Sequence, residues 1–518
     1  MLNPKTAHTY KTLTVKIATL FICALAGWWL YSFFGHPLVR AVVQAKSTGH
    51  LFTQPLAFYL NQADILFYNI WPVLCVGFSM LIITQWFFFQ KNAHQSKSDY
   101  SFPHIKIIFL LSLGIRFLVL PFLVSLTFMG DEYYYWNTAK SLLGGDFTPL
   151  TLRPPLWTFV LFLLTQISND YFFARTVTSL IGACCPVLLY LVGTKAFNKR
   201  TGFVAALIYA VYPNHIGYSH YLWSEILFGF LCLLAVYFFL LYIEDKQQKK
   251  FLILSFFTSG MALLSKEFAV ILFAGLIVTL FFVRPEKIIK KLMFGLFLFL
   301  LPGLLYSFTL SHVTNTTVIV SNAPISNFRI ALGLSQDFNY TTDSNEKRTE
   351  TRNELADSLK SISIRSAVKK MQQQFYNLWT PNSFPIYRLV GKQTDGYYPQ
   401  GIRGRWAIPI AGFYLFIVFT GLVGLFWAEE TTAFRVFSIT SLVCLSLTSV
   451  LAFLCSRFRF PFMYIFIIYS AYLLVNVKTI LKNIRHSKNL KKVTAMTILL
   501  ILLVHIAWTK VHTIGRWG

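Results

Sequence analysis

The chain has little charge, and acidic residues are its scarcest charged type. Of 518 residues only 13% are charged; 20 are Asp or Glu and 46 are Lys or Arg, whereas 55% are hydrophobic. A soluble domain carries roughly 25% charged residues, so this composition excludes an ordinary soluble fold. With a mean hydropathy of +0.56 and long apolar runs, the sequence predicts an all-α polytopic membrane protein.

Cysteine patterns and nucleotide-binding motifs are also lacking. All seven cysteines fall in or beside apolar runs and none lies in the longest polar segment, which argues against a disulfide framework. The chain has no C-x-x-C zinc spacing, no Walker loop and no G-x-G-x-x-G following a strand. These absences argue against a cytoplasmic nucleotide as the substrate.

The apolar runs and the basic residues together predict a topology. Runs long enough to cross ~30 Å of hydrocarbon recur from Leu13–Phe34 to Val493–Trp508, and three shorter runs bring the prediction to about 13 transmembrane helices. Pro154–Gln166 is too short to cross and is predicted to be an interfacial or re-entrant helix. Lys and Arg concentrate in the loops that are cytoplasmic if the N-terminus is inside. The net charge of +26 is therefore topological and does not indicate nucleic-acid binding.

This topology divides the chain into four predicted parts. Residues 1–95 form a two-helix extension, and residues 96–310 form a membrane module with an acidic first outer loop at 129–157. Residues 311–405 form one large extracytoplasmic loop domain, and residues 406–518 form the C-terminal membrane helices. No internal repeat is visible, so the repeat signature of many transporters is missing.

The first outer loop contains two adjacent acids, Asp131 and Glu132, at the end of a membrane helix. A carboxylate at this depth, beside apolar rings, is expected to have its charged form disfavoured, which would suit a general base. The alternative is that Asp131 only caps the next helix. Tyr135 and Trp136 follow as candidate sugar contacts, although aromatic residues at an interface are more often membrane anchors.

A second group of polar residues is predicted on the same side of the membrane, where ionisable groups are costly and are candidates for function. Lys266 with Glu267 is alternatively a self-neutralising hairpin, and the two arginines of the SRFRFP sequence are alternatively snorkelling anchors. If the stretch from Arg457 to Phe460 is helical, only one of the two arginines can point into the bundle. Because Pro461 favours an extended approach, both arginines are expected to share one phosphate. The members of this group are His215, His220, Glu225, Lys266, Glu267, Arg457 and Arg459.

The ordered motifs of the chain resemble a known group of enzymes. GDE-x-x-Y-x-x-x-A-x-x-L-x-x-G is followed by RPPL, then by YP with a downstream SE, and finally by SRFRFP. This pattern is similar to the polytopic GT-C glycosyltransferases, in the branch of the protein O-mannosyltransferases and the bacterial aminoarabinose transferase. The resemblance implies a polyprenyl-phosphate sugar donor and catalysis on the extracytoplasmic face. It places Asp131 at the catalytic acid of the first loop, Glu132 beside it and Arg153 at the RPP position.

The predicted function is transfer of a sugar from a polyprenyl phosphate to a lipid, polysaccharide or protein acceptor, in the inner membrane of a bacterium and on its periplasmic face. Asp131 is the predicted base, and Glu132 would orient the acceptor or, with Asp131, hold a divalent metal ion. The alternative is a non-enzymatic transporter of lipid-linked saccharides or a polysaccharide polymerase. Arg153, Lys266, Arg457 and Arg459 are predicted to bind the donor phosphate, and acceptor or sugar contacts are predicted for Tyr135, Trp136, His220, Glu225 and Glu267.

Overall fold

The computed structural model describes residue 31 and residues 102–120, 131–314, 364–381, 400–428, 432–451, 456–484 and 490–509. The predicted extension at 1–95, apart from Tyr31, and most of the predicted loop domain at 311–405 lie outside these residues. The chain divides into two compact units, residues 1–101 with 114–126 and residues 102–113 with 127–518. Apart from residues 114–119 at the end of the first helix, the elements described below belong to the second unit.

All regular elements in the described part of the chain are helical, as the composition predicts. Two short 3₁₀ turns, Leu142–Gly144 and Thr148–Thr151, join α2 to α3, and another, Phe460–Phe462, joins α14 to α15. The α-helices are α1 Phe102–Val119, α2 Asp131–Ser141, α3 Leu156–Ile167, α4 Tyr171–Ala196, α5 Lys199–Val211, α6 Pro213–Tyr218, α7 Glu225–Glu244, α8 Lys249–Leu263, α9 Ala269–Val283, α10 Ile288–Thr314, α11 Ile364–Trp379, α12 Gln400–Trp427, α13 Thr432–Leu451, α14 Ser456–Arg459, α15 Met463–Val475, α16 Val477–Ile484 and α17 Leu490–Thr509.

The chain is an integral membrane protein. Among the described residues, six helices are long and apolar enough to cross a bilayer: Tyr171–Ala196, Glu225–Glu244, Ile288–Thr314, Pro409–Trp427, Thr432–Ser449 and Ser456–Val475. Each overlaps a predicted span. The three shorter predicted runs also form helices, α5, α8 and α9, and the predicted interfacial segment forms α3. The total of about 13 spans stays a prediction.

The centre of the helical bundle is α15, in which every residue from Met463 to Tyr472 is buried. A helix that is apolar on all sides is buried on all sides, and α15 packs against α12 and α5. Gly421 and Gly424 allow α12 to approach closely. A Cβ atom at Gly424 would lie 2.0 Å from the carbonyl oxygen of Tyr469 on α15, so only glycine fits there.

The fold brings four chain segments together at one end of this bundle. Asp131 begins α2 and Glu225 begins α7, while Lys266 lies in the turn that joins α8 to α9. Arg457 belongs to the single turn of α14 that precedes α15. Because a helix N-terminus favours negative charge, the positions of Asp131 and Glu225 in first turns are electrostatically favourable.

Candidate active site

Asp131 lies between two arginines from distant parts of the chain. Its Oδ1 atom is 2.6 Å from Nη2 of Arg153, and its Oδ2 atom accepts a hydrogen bond of 2.5 Å from Nη1 of Arg457. The Asp131 side chain is 20% exposed and the two arginine side chains 13% and 11%. The three side chains are therefore partly exposed, and we call the exposed surface that they share the opening.

Glu225 connects the same Arg457 to a lysine. Its Oε1 atom accepts hydrogen bonds from Nζ of Lys266 and Nε of Arg457, and its Oε2 atom accepts one from Nη2 of Arg457 at 3.0 Å. The Glu225 carboxylate is fully buried, so its cations are held without competition from water. We call Asp131, Arg153, Glu225, Lys266 and Arg457 the charge cluster; its three cations and two anions leave one net positive charge.

Aromatic rings support each cation of the charge cluster. The guanidinium carbon of Arg153 is 4.9 Å from the centre of the Tyr134 ring and 5.5 Å from that of Tyr135. The Arg457 guanidinium is 4.3 Å from the Trp223 ring. Nζ of Lys266 is 5.1 Å from the Phe458 ring. Such cation–π contacts orient the cations and favour their charged forms.

The sequence-based expectation for the ionisation of Asp131 is wrong. Burial raises the pKa of Asp131, but the positive charges and hydrogen bonds of Arg153 and Arg457 outweigh it and hold that pKa well below its usual range. Asp131 is therefore a carboxylate at neutral pH, and a weak base in this state. The expectation failed because it considered the apolar rings and not the two guanidinium groups.

Glu132 does not face the opening, although it is the neighbour of Asp131. It is fully buried, and its Oε1 atom lies 3.3 Å from Nη2 of Arg175 and 3.1 Å from the amide nitrogen of Leu222. Successive residues on a helix point in different directions, which explains the separation from Asp131. The geometry contradicts the expectation that Glu132 contacts an acceptor, and it assigns Glu132 to holding α2 against α4.

The different directions of the Asp131 and Glu132 side chains also decide whether the two acids can hold the predicted divalent ion. Asp131 and Glu132 point to different partners, and both oxygens of Asp131 are engaged by arginine. In the described part of the chain, no three His, Cys, Asp or Glu side chains converge as metal ligands. The two acids predicted to hold an ion do not fit one in this arrangement.

Arg459 departs from its predicted role as a partner of Arg457. The SRFR sequence forms a helical turn, so the two side chains, two residues apart, point in roughly opposite directions. Arg459 donates a hydrogen bond to the carbonyl oxygen of Leu378 on α11, away from the charge cluster. The prediction that both arginines share one phosphate is contradicted, because Pro461 lies within the helical turn Phe460–Phe462 and the backbone there is not extended.

The other predicted contact residues lie at different distances from the opening. Tyr135 is close to the charge cluster, and its hydroxyl is 3.4 Å from that of Ser224. Trp136 packs in a small apolar core and lies 5.2 Å from Nζ of Lys140. The buried imidazole of His220 is 3.0 Å from the Ser179 hydroxyl.

Glu267 follows Lys266 in the turn between α8 and α9 and is partly buried. The sequence reasoning did not identify Tyr134, Trp223 or Phe458. The proximity of Trp223 and Phe458 in sequence to Glu225 and Arg457 was the available signal for two of them.

The family comparison covers the centre of this site. Residues 152–308 match the family described as dolichyl-phosphate-mannose-protein mannosyltransferase. The resemblance seen in the motifs is thereby confirmed for this segment, which contains Arg153, Glu225 and Lys266. Asp131 and Arg457 lie outside the match. No curated protein sequence matches the chain significantly.

Three solved structures show a partial likeness. The oligosaccharyltransferase of Archaeoglobus fulgidus in its apo form has a TM-score of 0.46 and 15% identity, over 82% of this chain and 56% of its own. ArnT from Cupriavidus metallidurans, bound to undecaprenyl phosphate, has a TM-score of 0.46 and 14% identity, over 77% and 64%. The archaeal oligosaccharyltransferase AglB from Archaeoglobus fulgidus, with an inhibitory peptide and a dolichol phosphate, has 0.42 and 14%, over 80% and 56%. The chain thus covers less than two thirds of each structure.

Proposed function

We propose that this protein transfers a sugar from a polyprenyl-phosphate donor to an acceptor at the extracytoplasmic face of the membrane. The observation that carries the proposal is the charge cluster at one end of a membrane bundle, in which Arg153 and Arg457 contact the partly exposed carboxylate of Asp131 and Lys266 joins Arg457 through Glu225. A phosphate needs cations at this depth, and arginine offers a planar fork that matches its oxygens. The family match over residues 152–308 supports the same chemistry.

In this proposal, Arg153 and Arg457 bind the donor phosphate and stabilise the charge that develops on it as the sugar leaves. Lys266 adds a third positive charge through the shared Glu225. Burial lowers the pKa of Lys266 below its usual value, and the negative charge of Glu225 offsets only part of this lowering. Glu225 therefore acts by fixing the positions of Lys266 and Arg457.

Asp131 becomes a base only after the donor has bound. The donor phosphate competes with Asp131 for the two guanidinium groups. Once Arg153 and Arg457 turn to the phosphate, the interactions that lower the pKa of Asp131 weaken. Its carboxylate then accepts the proton of an acceptor hydroxyl as that hydroxyl attacks the sugar.

The proposed donor class is tested with the purified full-length protein and a set of synthetic undecaprenyl-phosphate monosaccharides. Mass spectrometry of cell-envelope lipids, polysaccharides and proteins, with and without the gene, identifies the acceptor. We expect one sugar modification to disappear without the gene and to be restored by the wild-type chain. Restoration by a chain carrying Arg153→Gln together with Arg457→Gln would contradict the proposed role of the charge cluster.

A further inference from the structure

The C-terminal end of α11 is held by two side chains from other helices. The last carbonyl groups of an α-helix have no partner within the helix. Here Arg459 donates a hydrogen bond to the carbonyl oxygen of Leu378, and the hydroxyl of Tyr414 on α12 donates one of 3.1 Å to the carbonyl oxygen of Trp379. Positive charge at this end is favourable because of the helix dipole.

These two side chains also support each other. The guanidinium carbon of Arg459 lies 4.1 Å from the centre of the Tyr414 ring, and both residues are buried. The Trp379 ring packs edge-on against Phe466 of α15 at 5.8 Å. The end of α11 is therefore fixed against the central helix by polar contacts and by packing.

Arg459 lies two residues after Arg457, so its contact with α11 is close in the chain to the charge cluster. Arg459 and Arg457 belong to the same turn, α14, and face opposite ways. Arg457 enters the charge cluster, whereas Arg459 holds α11, which belongs to the predicted outer loop at 311–405. One helical turn thus connects the proposed donor site to part of this loop, which on the proposed function is expected to cover the site and to recognise the acceptor.

We propose that Arg459 is a positioning residue, which sets the end of α11 relative to the turn that carries Arg457 and thereby governs use of the acceptor. This proposal rests on the proposed function. Donor binding is independent of the contact, because Asp131 and Glu225 hold Arg457 without help from Arg459. Loss of the Arg459 contact should therefore separate the kinetic effects on the two substrates.

The kinetic test uses Arg459→Met, Arg459→Lys and Tyr414→Phe with the donor and acceptor that the wild-type protein accepts. For Arg459→Met we expect the KM for the acceptor to rise about tenfold or more, which corresponds to one lost charge-assisted hydrogen bond. Arg459→Lys should recover part of the loss, and Tyr414→Phe should have a smaller effect. The affinity for undecaprenyl phosphate should change less than twofold in each.

The matched control is Arg435→Lys. Arg435 donates hydrogen bonds to the carbonyl oxygens of Ala428 and Phe426 and thus also holds a helix end, but in the described residues these hydrogen bonds go to the end of α12 and not to α11 or the charge cluster. We expect its acceptor KM to equal that of the wild type. An equal rise in both variants, or weaker donor binding by Arg459→Met with an unchanged acceptor KM, would overturn the proposal.

A second measurement does not depend on activity. Amide hydrogen exchange in residues 364–379 should accelerate at least tenfold in Arg459→Met, because local opening of α11 becomes easier. Exchange in α7 should not change. Unaltered exchange in α11 of Arg459→Met would refute the positioning role. Accelerated exchange in Arg459→Met, together with a wild-type protein that transfers no sugar, would refute only the proposed function.

Discussion

The replacement Asp131→Asn should change donor binding and turnover in opposite directions. Asparagine has nearly the same shape but no charge, so Arg153 and Arg457 lose the carboxylate that engages them in the free protein. The asparagine oxygen still accepts one hydrogen bond, while its amide group faces an arginine as a second donor. The two cations then become more available to a phosphate.

The size of the effect follows from the two contacts of 2.6 and 2.5 Å. A hydrogen bond to a charged group contributes about 1.5–3 kcal/mol, and 1.4 kcal/mol corresponds to about tenfold in affinity. Release of one such contact should tighten undecaprenyl phosphate binding by about tenfold, and release of both by more. Turnover should fall by about 10²–10⁴, because the base is lost.

The assay combines binding of undecaprenyl phosphate to the purified protein with steady-state turnover. Asp170→Asn is the matched control, because Asp170 caps α4 by accepting a hydrogen bond of 2.9 Å from the amide of Phe172 and asparagine also caps helices well. This control should change neither quantity. Near-normal turnover of Asp131→Asn would refute the role of Asp131 as the base, and phosphate binding no tighter than in the wild type would refute the competition between Asp131 and the donor.

Three further changes test the topology, the packing and the buried ion pair. In a background without the native cysteines, single cysteines at Ser141 and Asn345 should react with an impermeant thiol reagent in intact cells; reaction only after lysis would reverse the predicted orientation. Gly424→Ala should abolish or strongly lower folded yield, whereas Gly412→Ala, with open space around it, should not. Glu132→Gln should lower the free energy of unfolding by about 3–5 kcal/mol, because a buried cation loses its charge partner; an unchanged melting temperature would contradict this.

The helices and the convergence of polar residues could be predicted from the sequence, because both depend on patterns along the chain. Apolar runs of sufficient length gave α4, α7, α10, α12, α13 and α15. On the predicted topology, an even number of membrane crossings separates each pair of the segments that carry Asp131, Glu225, Lys266 and Arg457. Their location on the same side of the membrane therefore followed from counting the spans. The structure brings these side chains into contact at one end of the bundle.

The partners of individual side chains could not be predicted. Asp131 and Arg457 are 326 positions apart, and no local pattern indicates their contact, so the pKa of Asp131 was expected to shift in the wrong direction. Glu132 was assigned to the site because it follows Asp131, and Arg459 was assigned to it because it lies two residues after Arg457. The direction in which a helix presents each residue decides such cases, and sequence proximity does not.

The single net positive charge of the charge cluster has a consequence for the end of the reaction cycle. A polyprenyl-phosphate sugar is a phosphodiester with one negative charge, which balances the cluster. The polyprenyl phosphate that is left after transfer is a monoester, whose charge near pH 7 is about −1.5 to −2. The spent carrier should therefore be held more tightly than the donor. We expect its departure to limit turnover and to become faster at mildly acidic pH, where the monoester gains a proton.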